Sequence, residues 1–313
     1  MPELPEVETI VRQLSHKVIG LKISDAWTDW PRTIKTHTLD KFRKEIRGRK
    51  ILRAHRRAKY IMIDLFGDLT LIIHQKISGH LLYGKWVSKG QESRIKNQEL
   101  RNKIRNNLKF ENQKWLPATE GPLVEDPFNR HIRFILWLSN GYMLGLSDLR
   151  RFGKVFLGET EKIENINEIG RLGPEPLDTK FNFKKFRELF RNKKGKIKQV
   201  LMDPFFIAGI GNIYSDEILW YSGIRPDCRV EELKESDVKR IYKHMKIVLK
   251  KAIGARGDSQ QDYRTLDGEF GNYQNMTKAY QLTGEKCKKH DGGIIKRIKM
   301  GGRSAHYCPV HQK

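Results

Sequence analysis

The amino-acid sequence predicts an α+β protein of about two domains, and three observations carry that expectation. Short β-rich runs dominate the first half, runs with helical spacing dominate the second, and the tail sets cysteine and histidine pairs at metal-ligand spacing. At roughly 150 residues per domain, 313 residues suit two domains, and a hydrophobic content of 38% is enough for each to bury a core.

Pro2 and Pro5 restrict the backbone ahead of the first element. Val7, Ile10, Val11 and Leu14 then fall at i, i+3, i+4 and i+7, the apolar stripe of an amphipathic helix, with Glu6, Glu8, Arg12 and Gln13 around it. Residues 60–65 and 69–74 are β-rich runs separated by Phe66-Gly67-Asp68, a hairpin signal. A second pair, 131–138 and 142–146, is joined through Ser139-Asn140-Gly141, and an Asn-Gly step between apolar runs predicts antiparallel pairing. Between the two groups, residues 85–116 hold nine Lys/Arg against three Glu and few apolar positions, which predicts a solvated excursion, a mobile loop or short surface helix.

Gly170-Arg171-Leu172-Gly173-Pro174-Glu175-Pro176-Leu177 reads as an interdomain hinge. Beyond it, residues 183–191, 195–203, 212–221 and 231–253 have helical spacing, broken by Pro204, by Gly209-Ile210-Gly211 and by Gly223. A Gly-rich polar stretch, 254–271, and a basic tail with β character follow, and no internal repeat is visible.

Sixty-one Lys+Arg against 37 Asp+Glu leave a formal charge of +24 and a pI near 9.9. An excess this large on a folded protein is the footprint of a polyanion partner, with nucleic acid ahead of an acidic membrane surface. No stretch approaches the ~20 apolar residues of a bilayer span. The start, Met1-Pro2-Glu3-Leu4-Pro5-Glu6, lacks the basic and apolar regions of a signal peptide, so a cytoplasmic, nucleoid-associated protein with no membrane partner is expected. Three cysteines, Cys228, Cys287 and Cys308, are too few and odd in number for a disulfide framework.

Cys287-Lys288-Lys289-His290 is followed after seventeen residues by Cys308-Pro309-Val310-His311. Two C-x₂-H pairs at that separation supply four ligands from two turns, which suits one structural, tetrahedral Zn²⁺ holding a two-stranded ribbon. The plain alternative is two buried thiols with surface histidines. A stapled ribbon would present Arg303 and its neighbours to phosphates. Gly209-Ile210-Gly211-Asn212 opens a helical run, and its free N–H groups and Asn212 side chain can hold a phosphate, although a bare G-x-G is equally an ordinary helix connection.

If Met1 is removed, Pro2 presents a secondary amine, and an α-amino pKa of about 7.7–8.0 leaves an appreciable neutral fraction near neutral pH. Such an amine can attack an aldehyde-level carbon and form an iminium, with Glu3 and Glu6 as candidate acid–base groups. Taken alone, the same residues describe a proline-rich helix start.

The opening Met1-Pro2-Glu3-Leu4-Pro5-Glu6-Val7-Glu8-Thr9 resembles that of the formamidopyrimidine-DNA glycosylases, which share a family with endonuclease VIII. The resemblance spans nearly the whole chain through Arg57-Ala58-Lys59-Tyr60, His74 with Ser78-Gly79, 148–153, 172–177, 209–214 and Gly301-Gly302-Arg303. It implies an N-terminal β-sandwich led by a catalytic helix, then a helix–two-turn–helix domain with a zinc-finger β-ribbon. The boundaries expected are 2–169 for the catalytic domain with its basic insertion at about 85–116, 170–180 for the hinge, 181–276 for the helical domain carrying a lid at 254–271, and 277–313 for the ribbon.

The activity implied is a bifunctional DNA glycosylase and abasic-site lyase of base excision repair. Pro2 would displace an oxidised purine such as 8-oxoguanine or a formamidopyrimidine, and β- and then δ-elimination would cut the strand. Glu3 matches the general acid, Glu6 a supporting carboxylate, and Lys59, His74, Asn212 and Arg303 a phosphate clamp. Arg150 matches the residue that reads the orphaned cytosine and Phe152 the wedge beside it, as suits a fork of donors and a stacking ring. The partner is double-stranded DNA holding a damaged base or abasic site, bound by a monomer.

Departures from the family pattern are Ile77 in place of an intercalating Met, Leu149 in place of Pro, and His290 and His311 in place of two zinc cysteines. The lid residues Ser259, Gln260, Gln261 and Tyr263 lie in a loop one residue shorter than usual. The same chemistry on oxidised pyrimidines or hydantoins is the alternative within the family. A non-catalytic zinc-ribbon protein binding damaged DNA is the alternative outside it.

Overall fold

The two hairpins predicted from β-rich runs and their turn signals form as expected, and they sit in separate sheets. The computed structural model describes residues 1–105 and 113–313; residues 106–112, part of the basic segment 85–116, lie outside the described residues. In chain order come α1 (Leu4–Lys17), β1 (Ile23–Thr28), α2 (Leu39–Ile46), β2 (Ile51–Arg57), β3 (Tyr60–Leu65), β4 (Leu69–His74), β5 (Gly79–Gly84), β6 (Trp86–Ser88) and α3 (Gln98–Arg105). Then follow β7 (Trp115–Pro117), α4 (Pro122–Glu125), β8 (Ile132–Leu138), β9 (Met143–Asp148), β10 (Lys154–Glu159), α5 (Asn167–Gly170), α6 (Phe183–Phe190) and α7 (Ile197–Met202). The chain ends with α8 (Asn212–Ser222), α9 (Glu235–Gly254), β11 (Lys296–Met300) and β12 (Arg303–Tyr307). No helix among the described residues is long and apolar enough to cross a membrane.

The chain divides into two compact units. The first comprises Met1–Pro2, Glu6–Ile166 and Asp258–Gly271. Its two antiparallel four-stranded sheets run β1-β8-β9-β5 and β10-β4-β3-β2. Both contribute to one core, in which Ile23, Phe134, Leu144 and Leu81 of one sheet meet Ile51, Ile63, Leu71 and Val155 of the other, as in a β-sandwich. The predicted stripe of α1, Val7, Ile10, Val11 and Leu14, is buried in that same core. Residues 66–68 close the β3–β4 hairpin with positive φ at Gly67 and Asp68.

Two expectations change here. Residues 85–116 are more than a solvated excursion: β6 pairs with β7, and Ile95, Leu100 and Ile104 pack with Leu116 and Val124 in a small core of their own. Their apolar positions are too widely spaced for a periodicity to show. Residues 258–271, expected with the helical domain, belong to the sandwich unit, because Asp258 N–H donates to Glu6 (2.8 Å), Leu266 N–H to Gln13 (2.9 Å) and Tyr83 N–H to the Leu266 carbonyl (2.7 Å).

The second unit comprises Glu3–Pro5, Asn167–Gly257 and Asn272–Lys313. α6 to α9 surround a core of Phe186, Leu201, Ile207, Tyr214, Ile241 and Leu249, into which Leu4 also packs. Gly223, at φ +68, ends α8 in the left-handed conformation that glycine adopts without strain. The stretch expected as a hinge is fixed within this unit: Gly173 N–H donates to the Pro204 carbonyl (2.9 Å), and a Cβ at Gly173 would stand 2.7 Å from the Phe206 backbone. β11 and β12 form the predicted ribbon, turning through Gly301 and Gly302, both at positive φ as a two-residue hairpin requires.

Candidate active site

Glu3 is almost fully buried, and its carboxylate accepts the N–H groups of Gly211 (2.7 Å), Ile213 (2.9 Å) and Tyr214 (3.4 Å) at the start of α8. The first N–H groups of a helix lack intrahelical partners and lie at the positive end of its dipole, so a carboxylate from elsewhere in the chain satisfies them. Gly211 permits the approach: a Cβ there would stand 2.5 Å from the Glu3 carboxyl carbon. Gly209, at φ +88, lets Leu4 approach in the same way, and Leu4 N–H donates to its carbonyl (3.0 Å). The Gly-Ile-Gly turn therefore receives residues 3 and 4. The expectation that its N–H groups hold a phosphate is corrected at positions 211, 213 and 214, where Glu3 occupies them. The Asn212 side chain remains for that role through its Nδ2 donors, while its Oδ1, an acceptor, is buried with no partner among the described residues.

Pro2 is buried, next to the anchored Glu3 in sequence. Glu6 is buried too, and its Oε1 accepts Asp258 N–H at 2.8 Å. His74, at the end of β4, is held neutral: burial pushes its pKa well down, and the charges of Lys76, Lys59 and Lys154 push it further. Its Nδ1 accepts Lys76 N–H (2.9 Å), which leaves Nε2–H as the outward donor. Lys59 follows Ala58, at φ +52, in the β2–β3 turn. A neutral donor among three lysines suits a phosphate oxygen.

Ile77, Arg150 and Phe152 lie on two loops that one carboxylate ties together. Asp148 accepts the Ser78 hydroxyl (2.6 Å) and the N–H groups of Arg150 (3.2 Å) and Gly153 (2.7 Å), while Ser78 Oγ also accepts Arg150 N–H (3.1 Å). Ile77 is 40%, Leu149 50% and Phe152 52% exposed, so exposed apolar side chains flank the exposed Arg150. Lone exposed apolar groups need no explanation, but three beside an arginine on interlocked loops make one exposed patch of the chemistry that base-step insertion uses. Leu149 was noted in the sequence only as a departure, and Asp148 was not singled out as the organiser.

Sequence reasoning also missed Lys198, which looks like one more surface lysine of a basic chain. It is fully buried on α7, and Nζ donates to Asp216 Oδ1 (2.5 Å), to the Asn212 carbonyl (3.3 Å) and to the Ser304 carbonyl (3.0 Å). Burial lowers its pKa while Asp216 opposes the shift, and Asp216 Oδ2 also meets His306 Nδ1 at 3.0 Å. This cluster ties the start of α8, with Asn212, to the start of β12, where Arg303 is exposed.

The metal-ligand prediction is corrected at one position. Donor atoms of Cys287, Asp291, Cys308 and His311 all lie within 4.8 Å of one another, and His290 is not among them. His290 adopts φ +56 in the turn closed by its N–H on the Cys287 carbonyl (3.0 Å), so its side chain is exposed and the next residue points inward. His311 Nε2 faces the Trp220 carbonyl (3.1 Å) and donates to it, which leaves Nδ1 as the lone-pair atom, 2.8 Å from Asp291 Oδ2. Both thiols lie beside that pair, and the set of two sulfurs, one nitrogen and one oxygen fits tetrahedral zinc.

Of the four lid residues, Gln260 and Gln261 are exposed. Ser259 is buried and its Oγ accepts Gly271 N–H (2.8 Å). Tyr263 packs in the sandwich core, where its hydroxyl donates to the Glu6 carbonyl (3.4 Å), so it is corrected from lid to core.

Residues 1–155 match the family model described as the formamidopyrimidine-DNA glycosylase N-terminal domain, and residues 172–264 match its H2TH domain. The chain is 34% identical over 313 residues to the formamidopyrimidine-DNA glycosylase of Pelotomaculum thermopropionicum, covering 100% of this chain and 99% of that one. It is 34% identical to that of Heliobacterium modesticaldum, with 100% of each covered. Among solved structures, the complex of Lactococcus lactis Fpg with an abasic-site-containing DNA is similar, with a TM-score of 0.80, 31% identity and 99% of each chain covered. The complex of the Lactococcus lactis enzyme with an N7-benzyl-Fapy-dG-containing DNA also has a TM-score of 0.80, at 31% identity with 100% of each chain covered.

Proposed function

The chain belongs to the formamidopyrimidine-DNA glycosylase family and is a DNA glycosylase of base excision repair, and on that premise we propose how its residues act on damaged DNA. The substrate is an oxidised purine in double-stranded DNA. With Met1 removed, the Pro2 nitrogen attacks C1′, the glycosidic bond breaks, and its electron pair leaves with the base, which takes up a proton. The nitrogen gives up its proton, the C1′–O4′ bond breaks as O4′ takes up a proton, and the iminium so formed acidifies the C2′ proton. Its loss expels the 3′ phosphate oxygen, and a further elimination expels the 5′ phosphate.

The observation that carries this reading is the anchoring of Glu3 by three N–H groups of α8, which fixes the chain end from which Pro2 acts. Glu3 is the proposed proton shuttle at the sugar oxygen; its three N–H partners favour the carboxylate, so it takes up a proton before passing it on. Neutral His74 with Lys59 in one unit, and Asn212 with Arg303 in the other, are the phosphate ligands proposed. Arg150 enters the space left by the extruded base, with Ile77 and Phe152 beside it.

Zinc would be held by Cys287, Asp291, Cys308 and His311, where it cross-links the 287–291 turn to the 308–311 turn. Its role is structural. Trapping with borohydride on an abasic duplex tests the enzyme reading: a covalent adduct forms with the mature chain and is lost when an extra N-terminal residue blocks the amine. Tight binding without any adduct would leave a non-catalytic damage-binding protein instead.

A further inference from the structure

We propose that Arg264 is a positioning residue that sets the conformation of the 258–263 strap, and through it the choice of damaged base. The inference rests on the reading of that strap as the segment that covers the base. Arg264 is 3% exposed, and a buried arginine is rare unless every donor direction is met. Here Nε donates to Asp126 Oδ2 (2.5 Å), and Nη1 donates to the carbonyls of Gln261 (2.8 Å) and Tyr263 (2.7 Å). The guanidinium lies 3.9 Å from the Phe270 ring centroid and 5.0 Å from that of Phe128. The charge, two of the three guanidinium nitrogens and the planar group beside two rings are in use, as they would not be at a lysine.

The two carbonyls that Arg264 holds flank Asp262, so the peptide planes leading out of Gln261 and Tyr263 are fixed. Upstream, Asp258 N–H is held by Glu6, and Gln260 N–H donates to Asp258 Oδ1 (3.1 Å). What lies free to solvent between these anchors is Gln260 and Gln261. Arg264 therefore sits at the base of a short, two-glutamine tip and decides how that tip is presented.

The mount is rigid on the other side as well. Asp126 and Asn129 belong to the segment that joins α4 to β8. Asn129 Nδ2 donates to the carbonyls of Pro122 (2.8 Å) and Gly268 (3.0 Å), so its Oδ1 is the acceptor toward His80 Nε2 (3.0 Å). His80 is a residue of β5, and burial holds its pKa down at about 4, so the neutral ring donates from Nε2. The strap is thus fastened through Arg264–Asp126 and Gly268–Asn129–His80 to the sheet.

The test compares two rates of the full-length chain on one duplex sequence: release of 8-oxoguanine in a single turnover, and strand cleavage at a preformed abasic site, which has no base for the strap to cover. In Arg264→Lys, base release should fall at least tenfold relative to abasic cleavage, and the preference for 8-oxoguanine over an oxidised pyrimidine should shift with it. Should that variant melt low, Arg264→Met/Asp126→Asn, which leaves no buried charge, carries the same comparison. Equal loss of both rates, or no change in either, overturns the proposal. A parent chain that cleaves abasic sites and releases no oxidised base contradicts the substrate reading instead, and the clamp's role in choosing a base goes with it.

Discussion

Gly211→Ala tests the anchoring of Glu3. The added Cβ would stand 2.5 Å from both Cδ and Oε1 of Glu3 and 2.9 Å from its Cγ, all inside the 3.0 Å that real Cβ atoms respect. Glu3 cannot retreat easily, because Leu4 beside it is fully buried and its N–H is held by Gly209. The carboxylate must then give up some or all of three N–H bonds. Hydrogen bonds to a charged group contribute about 1.5–3 kcal/mol each, so losing one and weakening the others costs roughly 2–4 kcal/mol. At roughly 2–4 °C per kcal/mol for a chain somewhat smaller than this one, the melting temperature falls by several degrees. Base release in a single turnover falls by about 30- to 1,000-fold if that energy is lost from the placement of residue 2. The assay is a double-mutant cycle by denaturant unfolding: in a Glu3→Ala background the Gly211→Ala cost should shrink below about 0.5 kcal/mol. An undiminished cost in that background would refute the reasoning, since the clash would not then be with the carboxylate.

Other predictions follow from the same geometry. Lys198→Met leaves Asp216 buried beside His306 alone and should destabilise by about 3–5 kcal/mol in urea unfolding, with weakened binding to abasic duplex; a loss under about 1 kcal/mol would contradict the buried cluster. His80 titrates at about 4 in the fold against 6.5 unfolded, so the unfolded chain binds the extra proton between those values and stability rises with pH across the window. The contribution lost on acidification from pH 6.5 to 4 is at most about 3 kcal/mol, and His80→Gln should flatten the stability–pH curve there. For the metal, Asp291→Ala should lower bound zinc well below that of His290→Ala, measured by metal analysis and by the visible spectrum of the cobalt-substituted protein; the reverse order would restore His290 as the ligand.

Much of the architecture was legible because it is local. Runs 60–65 and 69–74 are β-rich on either side of Gly67, and 131–138 meets 142–146 at an Asn-Gly step, so strands, turns and pairing follow from neighbours in sequence. Helix α1 follows equally from its own stripe of four apolar residues. The residues missed depend on distant partners. Leu266 bonds to Gln13 across 253 positions, so no local signal places 258–271 in the sandwich unit. Lys198 is polar by composition and buried only because Asp216 and two carbonyls converge on it. Spacing chose His290 as a ligand, whereas a left-handed turn at that residue hands the inward direction to Asp291. Resemblance reached Pro2 and Glu3, but the reason Glu3 is held in place, a helix start exposed by Gly211, became visible only in three dimensions.

The central claim is that the nitrogen of Pro2 forms the bond to DNA. Its most direct test is mass spectrometry of the borohydride-reduced adduct, formed on an oxidised-purine duplex and then digested to peptides. The account predicts a deoxyribose-derived mass on the N-terminal peptide, at residue 2, with none on Lys59. An adduct on Lys59 or any other lysine, with residue 2 unmodified, would contradict it.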